Sequence, residues 1–264
     1  MPGKIVKPEV ILFDLDDTLI IEKQSADEAF AETAKILTDN FQINPVDFVK
    51  TIRQEARKIW YTLPTIDYCL KIGISSWEGL WAGFGGKHKQ LKLLSQLAND
   101  YRENAWYNAL LAFGIKNRNL AIELSGTFII RRNEKHFPYK ETLKTLKMLS
   151  GSYRMGIITN GAPEIQWTKI KGSGIKDFFE HIIISGEVDY GKPDKEIFEY
   201  ALKEFKVIGK KTIMIGNSLL TDIAGAQNCG IPSVWLNRDN ILLEGSINPD
   251  FIIKNLTELV DLLK

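Results

Sequence analysis

Cysteine is nearly absent: Cys69 and Cys229 are the only two in 264 residues. They lie far apart with no metal-type spacing, so both are expected as small buried hydrophobes in a chain of the reducing cytoplasm. Histidine is as scarce, and His88, His136 and His181 form no ligand cluster. Charge of one sign is missing too. With 34 basic against 33 acidic side chains the formal net charge is +1, which draws the chain neither to nucleic acid nor to an anionic membrane. No apolar run approaches the roughly 18 residues of a membrane span, and the start, Met1-Pro2-Gly3-Lys4-Ile5-Val6-Lys7-Pro8, lacks the apolar run of a signal peptide. Internal repeats and low-complexity tracts are also lacking.

What is present is an ordinary globular composition, 44% hydrophobic and 25% charged, in a length that suits one large domain or two modest ones. Two are expected here. Short apolar runs rich in β-branched residues recur at Val10 to Phe13, Met155 to Thr159, Ile182 to Ser185, Thr212 to Ile215, Ser233 to Leu236 and Phe251 to Ile253. Continuous rather than alternating apolarity indicates strands covered on both faces. Strand-helix alternation from residue 138 onward then predicts an α/β fold with a doubly wound parallel sheet.

Residues 22–136 interrupt that pattern with helical periodicity alone, which predicts an inserted all-α domain. Asn44-Pro45 reads as an N-cap with proline in the first helical position, followed by the face Val49, Ile52, Ala56, Ile59 and Trp60. Leu94, Leu97, Tyr101 and Ala105 trace a second stripe; Ser25 to Asp39 and Asn117 to Arg132 also suit helices. Gly83-Phe84-Gly85-Gly86-Lys87 reads as a flexible break. Trp60, Trp77, Trp81 and Trp106 fall in this insert, either as packing of a small bundle or as walls of a pocket.

Asp14-Leu15-Asp16-Asp17-Thr18 stands at the end of the first apolar run. Along an extended backbone residues i and i+2 project to one side, about 6 to 7 Å apart at roughly 3.3 Å per residue. Asp14 and Asp16 can therefore flank a reacting phosphorus, one attacking and the other handling the proton. Free carboxylates at the mouth of a buried strand are costly unless paired, and a divalent cation with oxygen ligands would relieve them, so Mg²⁺ is predicted. An Asp-rich turn also arises simply because Asp tolerates turns and caps helices.

Three later segments bear on the choice. Ile157-Ile158-Thr159-Asn160-Gly161 ends a strand with a hydroxyl, and the Thr159 side chain with the Asn160 N–H can donate to a phosphate oxygen. Gly191-Lys192-Pro193-Asp194 holds Lys192 extended ahead of a helix that Pro193 would open, poised to balance carboxylates or hold a phosphoryl group. Ile215-Gly216-Asn217-Ser218 leads to Thr221-Asp222, where Asp222 either starts a helix or supports a metal.

Asp-x-Asp-x-Thr, a strand-end Thr, Lys-Pro and Gly-Asn-Ser-x-x-x-Asp occur in this order, and in that order the chain resembles the haloacid dehalogenase superfamily over essentially its whole length. The resemblance implies a Rossmann-like catalytic core in residues 1–21 and 137–264, and a helical cap of the C1 type in 22–136, just beyond a mobile flap near Ile20 to Lys23. It makes Asp14 the nucleophile and Asp16 the acid and then the base. It gives the phosphoryl oxygens to Thr159, Asn160 and Lys192, and Mg²⁺ to Asp14, Asp16, Asn217 and Asp222. Asn217 departs from the pattern, since an aspartate usually follows that glycine. The amide brings no charge, so weaker Mg²⁺ binding is expected, and a feebly active or non-catalytic phosphate-binding regulatory protein is the rival of another class.

Asp16 favours phosphomonoesters, because dehalogenase members of the superfamily lack this second acid. Trp77-Glu78-Gly79-Leu80-Trp81 and Tyr101-Arg102-Glu103-Asn104-Ala105-Trp106 look like a bacterial subgroup that includes a phosphoserine phosphatase. A cap arginine, Arg102, Arg131 or Arg132, would then pair with a substrate carboxylate. Sugar phosphates and nucleoside monophosphates are the rival substrates, and a monomer or homodimer is expected.

Overall fold

Six strands, β1 (Val10–Phe13), β2 (Arg154–Thr159), β3 (His181–Ile184), β4 (Thr212–Gly216), β5 (Ser233–Leu236) and β6 (Phe251–Ile253), form one sheet in the order β3-β2-β1-β4-β5-β6. Every pairing is parallel. This is a computed structural model describing residues 7–264, so the reading of Met1 to Val6 lies outside the described residues. β1 is fully buried along its length, as its unbroken apolar run requires of a strand covered on both faces. The chain winds from β1 outward through β2 to β3, then returns to lay β4 on the other side of β1. That reversal opens a crevice at the carboxyl ends of the strands.

By its contacts the chain divides into two units, one of Met1–Ile21, Phe137–Asn160 and Ser173–Lys264, the other of Glu22–His136 and Gly161–Gly172. The first holds the sheet. Phe198, Phe205 and Ile197 of the helix Lys195–Phe205 pack with Val10, Leu12 and Met214 on one of its faces. Ile20, expected in a mobile flap, is 1% exposed and bridges to Pro138, and the Ile21 N–H donates to the Phe137 carbonyl at 2.9 Å. Lys23 already belongs to a helix, Glu22–Phe41.

The second unit is helical. Asn44 caps the helix Pro45–Trp60, its side chain accepting from the N–H groups of Val46 and Asp47, and Phe48, Ile52, Ala56 and Trp60 turn inward at helical spacing. Trp106 of the helix Lys89–Ala112 lies between Phe48 and Phe128, with ring centroids 6.0 and 5.7 Å away. Burying one such ring contributes about 1.5–3 kcal/mol, and cutting Phe48 to alanine would cost about 3–5 kcal/mol. Trp60, Trp81 and Trp106 are core, whereas Trp77 is 37% exposed with the Arg53 guanidinium 4.2 Å from its ring centroid.

Two expectations need correction. The break at residues 83–87 is held rather than loose: the N–H groups of Gly83 and Gly85 donate to the Glu164 carboxylate at 3.3 and 2.7 Å. A Cβ on Gly83 would sit 2.6 Å from a Glu164 oxygen, so a larger residue there would push the carboxylate aside. Residues 161–172, expected with the sheet, group with the helical unit. Their helix, Pro163–Gly172, supplies Glu164 to those glycines, Ile165 to the apolar cluster, and Lys169 to Glu22 and Glu78 at 3.3 and 3.8 Å. A strand-then-helix pattern reveals which element comes next, not which neighbour its side chains meet.

No described helix is long and apolar enough to cross a membrane. Cys69 and Cys229 are both free thiols.

Candidate active site

Register brings the carboxyl ends of three strands together. Phe13 pairs with Ile157 of β2 on one side and Ile215 of β4 on the other; β1 ends there, β2 runs on to Thr159 and β4 to Gly216, and all three leave the sheet at its carboxyl edge. The Asp14 N–H donates to the Ile215 carbonyl at 2.9 Å, fixing the start of the loop that follows β1. That loop closes on itself. The N–H groups of Leu19 and Ile20 donate to the Leu15 carbonyl at 2.9 and 3.2 Å, and Asp17 takes a left-handed φ of 56°, which aspartate tolerates better than most side chains.

Asp14 is gripped from two sides. Its Oδ1 accepts from Lys192 Nζ at 2.6 Å and its Oδ2 from the Thr18 hydroxyl at 2.8 Å. The same Thr18 hydroxyl lies 3.4 Å from Asn217 Oδ1, so a carboxylate and an amide oxygen converge on one point. Lys192 Nζ also donates to Asp222 Oδ1 at 2.7 Å, and the second Asp222 oxygen accepts from the Ser218 N–H at 3.0 Å. The Asn217 carbonyl accepts from Trp235 Nε1 at 2.9 Å. Gly216 makes this packing possible: a Cβ there would fall 2.2 Å from Asp222 Oδ2.

Burial, with Asp222 beside it, pushes the Asp14 carboxyl up to about 7 despite Lys192. Burial by itself would lower Lys192, but Asp14 and Asp222 outweigh it and hold the ammonium well above its ordinary value. Two buried carboxylates, with Asp16 nearby, thus share one ammonium. The surplus is negative. Oxygen donors with an excess of negative charge suit a hard divalent cation.

The sequence-predicted residues divide by what they touch. Asp14, Lys192, Asn217 and Asp222 form the contiguous cluster, and Thr159, 1% exposed, ends β2 beside β1. Asp16, half-buried, sits in the loop two residues beyond Asp14. Asn160, whose backbone N–H was expected to hold a phosphoryl oxygen, uses its side chain to clamp the Lys192 backbone, donating to the carbonyl at 2.9 Å and accepting from the N–H at 2.7 Å. Asp222, expected among the metal ligands, accepts from Lys192 Nζ with one oxygen and from the Ser218 N–H with the other. Pro193 does not open the helix, which begins two residues later as Lys195–Phe205. Thr18 was missing from the predicted site, although its place four residues after Asp14 in Asp-x-Asp-x-Thr was the available signal.

The three candidate arginines also separate. Arg102 is buried with its guanidinium given to the Gly79 and Ala82 carbonyls, and Arg131 pairs with Glu134 and Glu32 on the surface. Arg132, 1% exposed, donates to Glu22 at 2.6 Å and keeps a buried Nη1 without a hydrogen-bond partner.

Residues 8–230 match the family model of the haloacid dehalogenase-like hydrolases. The chain is 30% identical over 254 residues to the phosphoserine phosphatase of Thermus thermophilus, covering 95% of this chain and 97% of that one. It is 42% identical over 112 residues to the glyceraldehyde 3-phosphate phosphatase of Pyrococcus abyssi, a match that spans 42% of this chain and 47% of the relative. Among solved structures, the magnesium-bound HAD-hydrolase YfnB of Bacillus subtilis shares the fold with a TM-score of 0.65 at 23% identity, covering 97% of this chain and 99% of that one. With its motifs gathered at one sheet edge and its similarity running nearly end to end, the chain belongs to the haloacid dehalogenase-like hydrolase family, as one of its phosphatases.

Proposed function

We propose that the chain hydrolyses small phosphomonoesters through a phosphorylated Asp14, with phosphoserine as the first substrate to test. The observation that carries this reading is the double grip on Asp14, by Lys192 at 2.6 Å and Thr18 at 2.8 Å, with a second carboxylate two residues on. A carboxylate so oriented attacks phosphorus as the bond to the leaving alkoxide breaks, giving an aspartyl phosphate. Asp16 delivers its proton to that alkoxide. It then takes a proton from a water, which attacks phosphorus, releases inorganic phosphate and restores Asp14. Lys192, the Thr159 hydroxyl and the Asn160 N–H hold the phosphoryl oxygens throughout.

The converging oxygens fit Mg²⁺, which the Asp14 carboxylate, the Asp16 backbone carbonyl and Asn217 Oδ1 would hold; when bound it neutralises charge at the transferring group. Asp222 keeps Lys192 and the Ser218 turn in place. We assign 22–136, together with the segment 161–172 that groups with it, the part of a cap that excludes water and selects the leaving group, and 1–21, 137–160 and 173–264 the catalytic core. The free cysteines and balanced charge fit a cytoplasmic enzyme.

Phosphoserine is favoured because the relative named for it matches along nearly the whole of both chains. A sugar phosphate is the second reading, supported by the higher identity of the shorter Pyrococcus match. Ranking phosphorylated metabolites by kcat/KM, with Mg²⁺ and with chelator, tests the proposal. Phosphoserine should lead and chelation should abolish turnover; no hydrolysis of any ester at saturating Mg²⁺ would overturn it. Asp16→Asn should spare para-nitrophenyl phosphate more than alkyl esters, since an aryl oxide leaves without a proton.

A further inference from the structure

We propose that Arg238 is a positioning residue for phosphoryl transfer, its guanidinium locking the Asp14–Thr18 loop to the segment that contains Tyr139 and Glu141. The inference rests on the proposed phosphatase reading. Arg238 stands two residues beyond the end of β5, and nothing in the motif order points to it. Its guanidinium nevertheless ties two separate stretches of chain to its own. Nη2 donates to the Thr18 carbonyl at 3.0 Å, Nη1 donates to Glu141 Oε1 at 2.6 Å, and the planar group lies 3.6 Å from the Tyr139 ring centroid.

The consequence reaches the nucleophile through one residue. Thr18, whose carbonyl Arg238 holds, is the residue whose hydroxyl donates to Asp14 Oδ2 at 2.8 Å. Fixing that carbonyl sets the backbone of Thr18, hence the direction of its hydroxyl and the rotation of the Asp14 carboxylate. Asp16 lies on the same loop. Arg238 is itself held in place, because the Asn237 side chain closes a turn by accepting from the Ile241 N–H at 2.8 Å and donating to its carbonyl at 2.9 Å. The Arg238 and Glu141 side chains are only 16% and 14% exposed, so the pair is shielded beyond what a solvated surface bridge would be. A lysine could not replace it, since a point charge cannot donate to a carbonyl and a carboxylate from one plane while stacking on a ring.

Arg238→Ala and Arg238→Lys, tested against the full chain, decide the matter. Both should lower kcat on para-nitrophenyl phosphate and phosphoserine by roughly 10- to 100-fold, the scale of a reacting group displaced by about 1 Å, with KM moved far less. Guanidinium ion should restore part of the kcat of Arg238→Ala, and methylammonium should not. Hydrogen exchange of the peptide spanning residues 15–21 should quicken in both variants, because the Leu19 and Ile20 amides lose the support behind the loop. Unchanged exchange there would overturn the clamp whether or not the wild type turns over. Quicker exchange with kcat within twofold of wild type, or a kcat loss that guanidinium does not relieve, would overturn the positioning role. A wild type with no phosphatase activity would instead defeat the proposed function and leave the exchange result to judge the clamp.

Discussion

Two clusters of buried charge, one in each unit, differ in their balance. At the sheet edge Lys192 faces Asp14 and Asp222, with Asp16 close enough to raise Asp14 further. In the helical unit Arg132 and Lys169, each 1% exposed, face Glu22 and Glu78, and the Trp81 ring covers the Arg132 guanidinium at 4.7 Å. In these described contacts two cations face two carboxylates. Burial of charge is therefore no mark of chemistry by itself. A balanced cluster can serve as a structural tie, whereas an unbalanced one at the ends of parallel strands holds a group strained toward neutrality, with capacity left for a cation and a phosphoryl group.

Breaking each cluster should give opposite signatures. Asp14→Asn should abolish turnover by at least about a thousandfold, as loss of a nucleophile does, while leaving thermal stability equal or higher because a surplus buried carboxylate is gone. The metal-free wild type carries a pH signature of that surplus. With Asp14 raised from 3.8 to about 7, the folded state binds a proton that the unfolded state has released, so its contribution to stability declines as pH rises across that window. Denaturation midpoints against pH should show the slope, and Asp14→Asn should flatten it.

Lys169→Met should do the reverse. It leaves Glu22 and Glu78 short of a buried cation and should cost about 3–5 kcal/mol in urea unfolding, while the pH slope that Asp14 produces stays in place. A loss below about 1 kcal/mol would place that cluster among ordinary surface pairs. The smallest change sharpens the imbalance. Asn217→Asp adds a charged oxygen where the amide now stands, and rate measured against Mg²⁺ should show the half-saturating concentration falling by about tenfold. That is well under the gross attraction of about 4 kcal/mol for a charge pair at 4 Å, because hydration is given up in exchange. An unchanged or raised requirement would remove Asn217 from the cation site.

Much of this contrast was legible beforehand at the sheet edge. Asp14, Thr159, Lys192 and Asn217 each directly follow or end a strand or open a turn, so local periodicity placed them, and parallel pairing carried three of the strands' carboxyl ends to one side. Asn160, Asp222 and Pro193 were placed correctly along the chain, but Pro193 opens no helix, and the hold of Asn160 and Asp222 on Lys192 was not foreseen. Asn160 was free to clamp Lys192, and Asp222 to hold it, only because β2 and β4 flank β1. In the helical unit the apolar faces through Ile52, Ala56 and Trp60 were predictable, while Arg102, Glu164 and Lys169 were not, since their partners lie 20 or more residues away.

The sequence by itself determined the strands, the helical insert and the order of the chemical motifs, because strand burial and helix periodicity are written in neighbouring residues. Tertiary structure alone decided which charges meet, that helix 163–172 joins the helical unit, and that Arg238 reaches Thr18 across 220 positions. Hydrogen bonds and ion pairs depend on distances of about 3 Å in space, and no spacing along the chain encodes those.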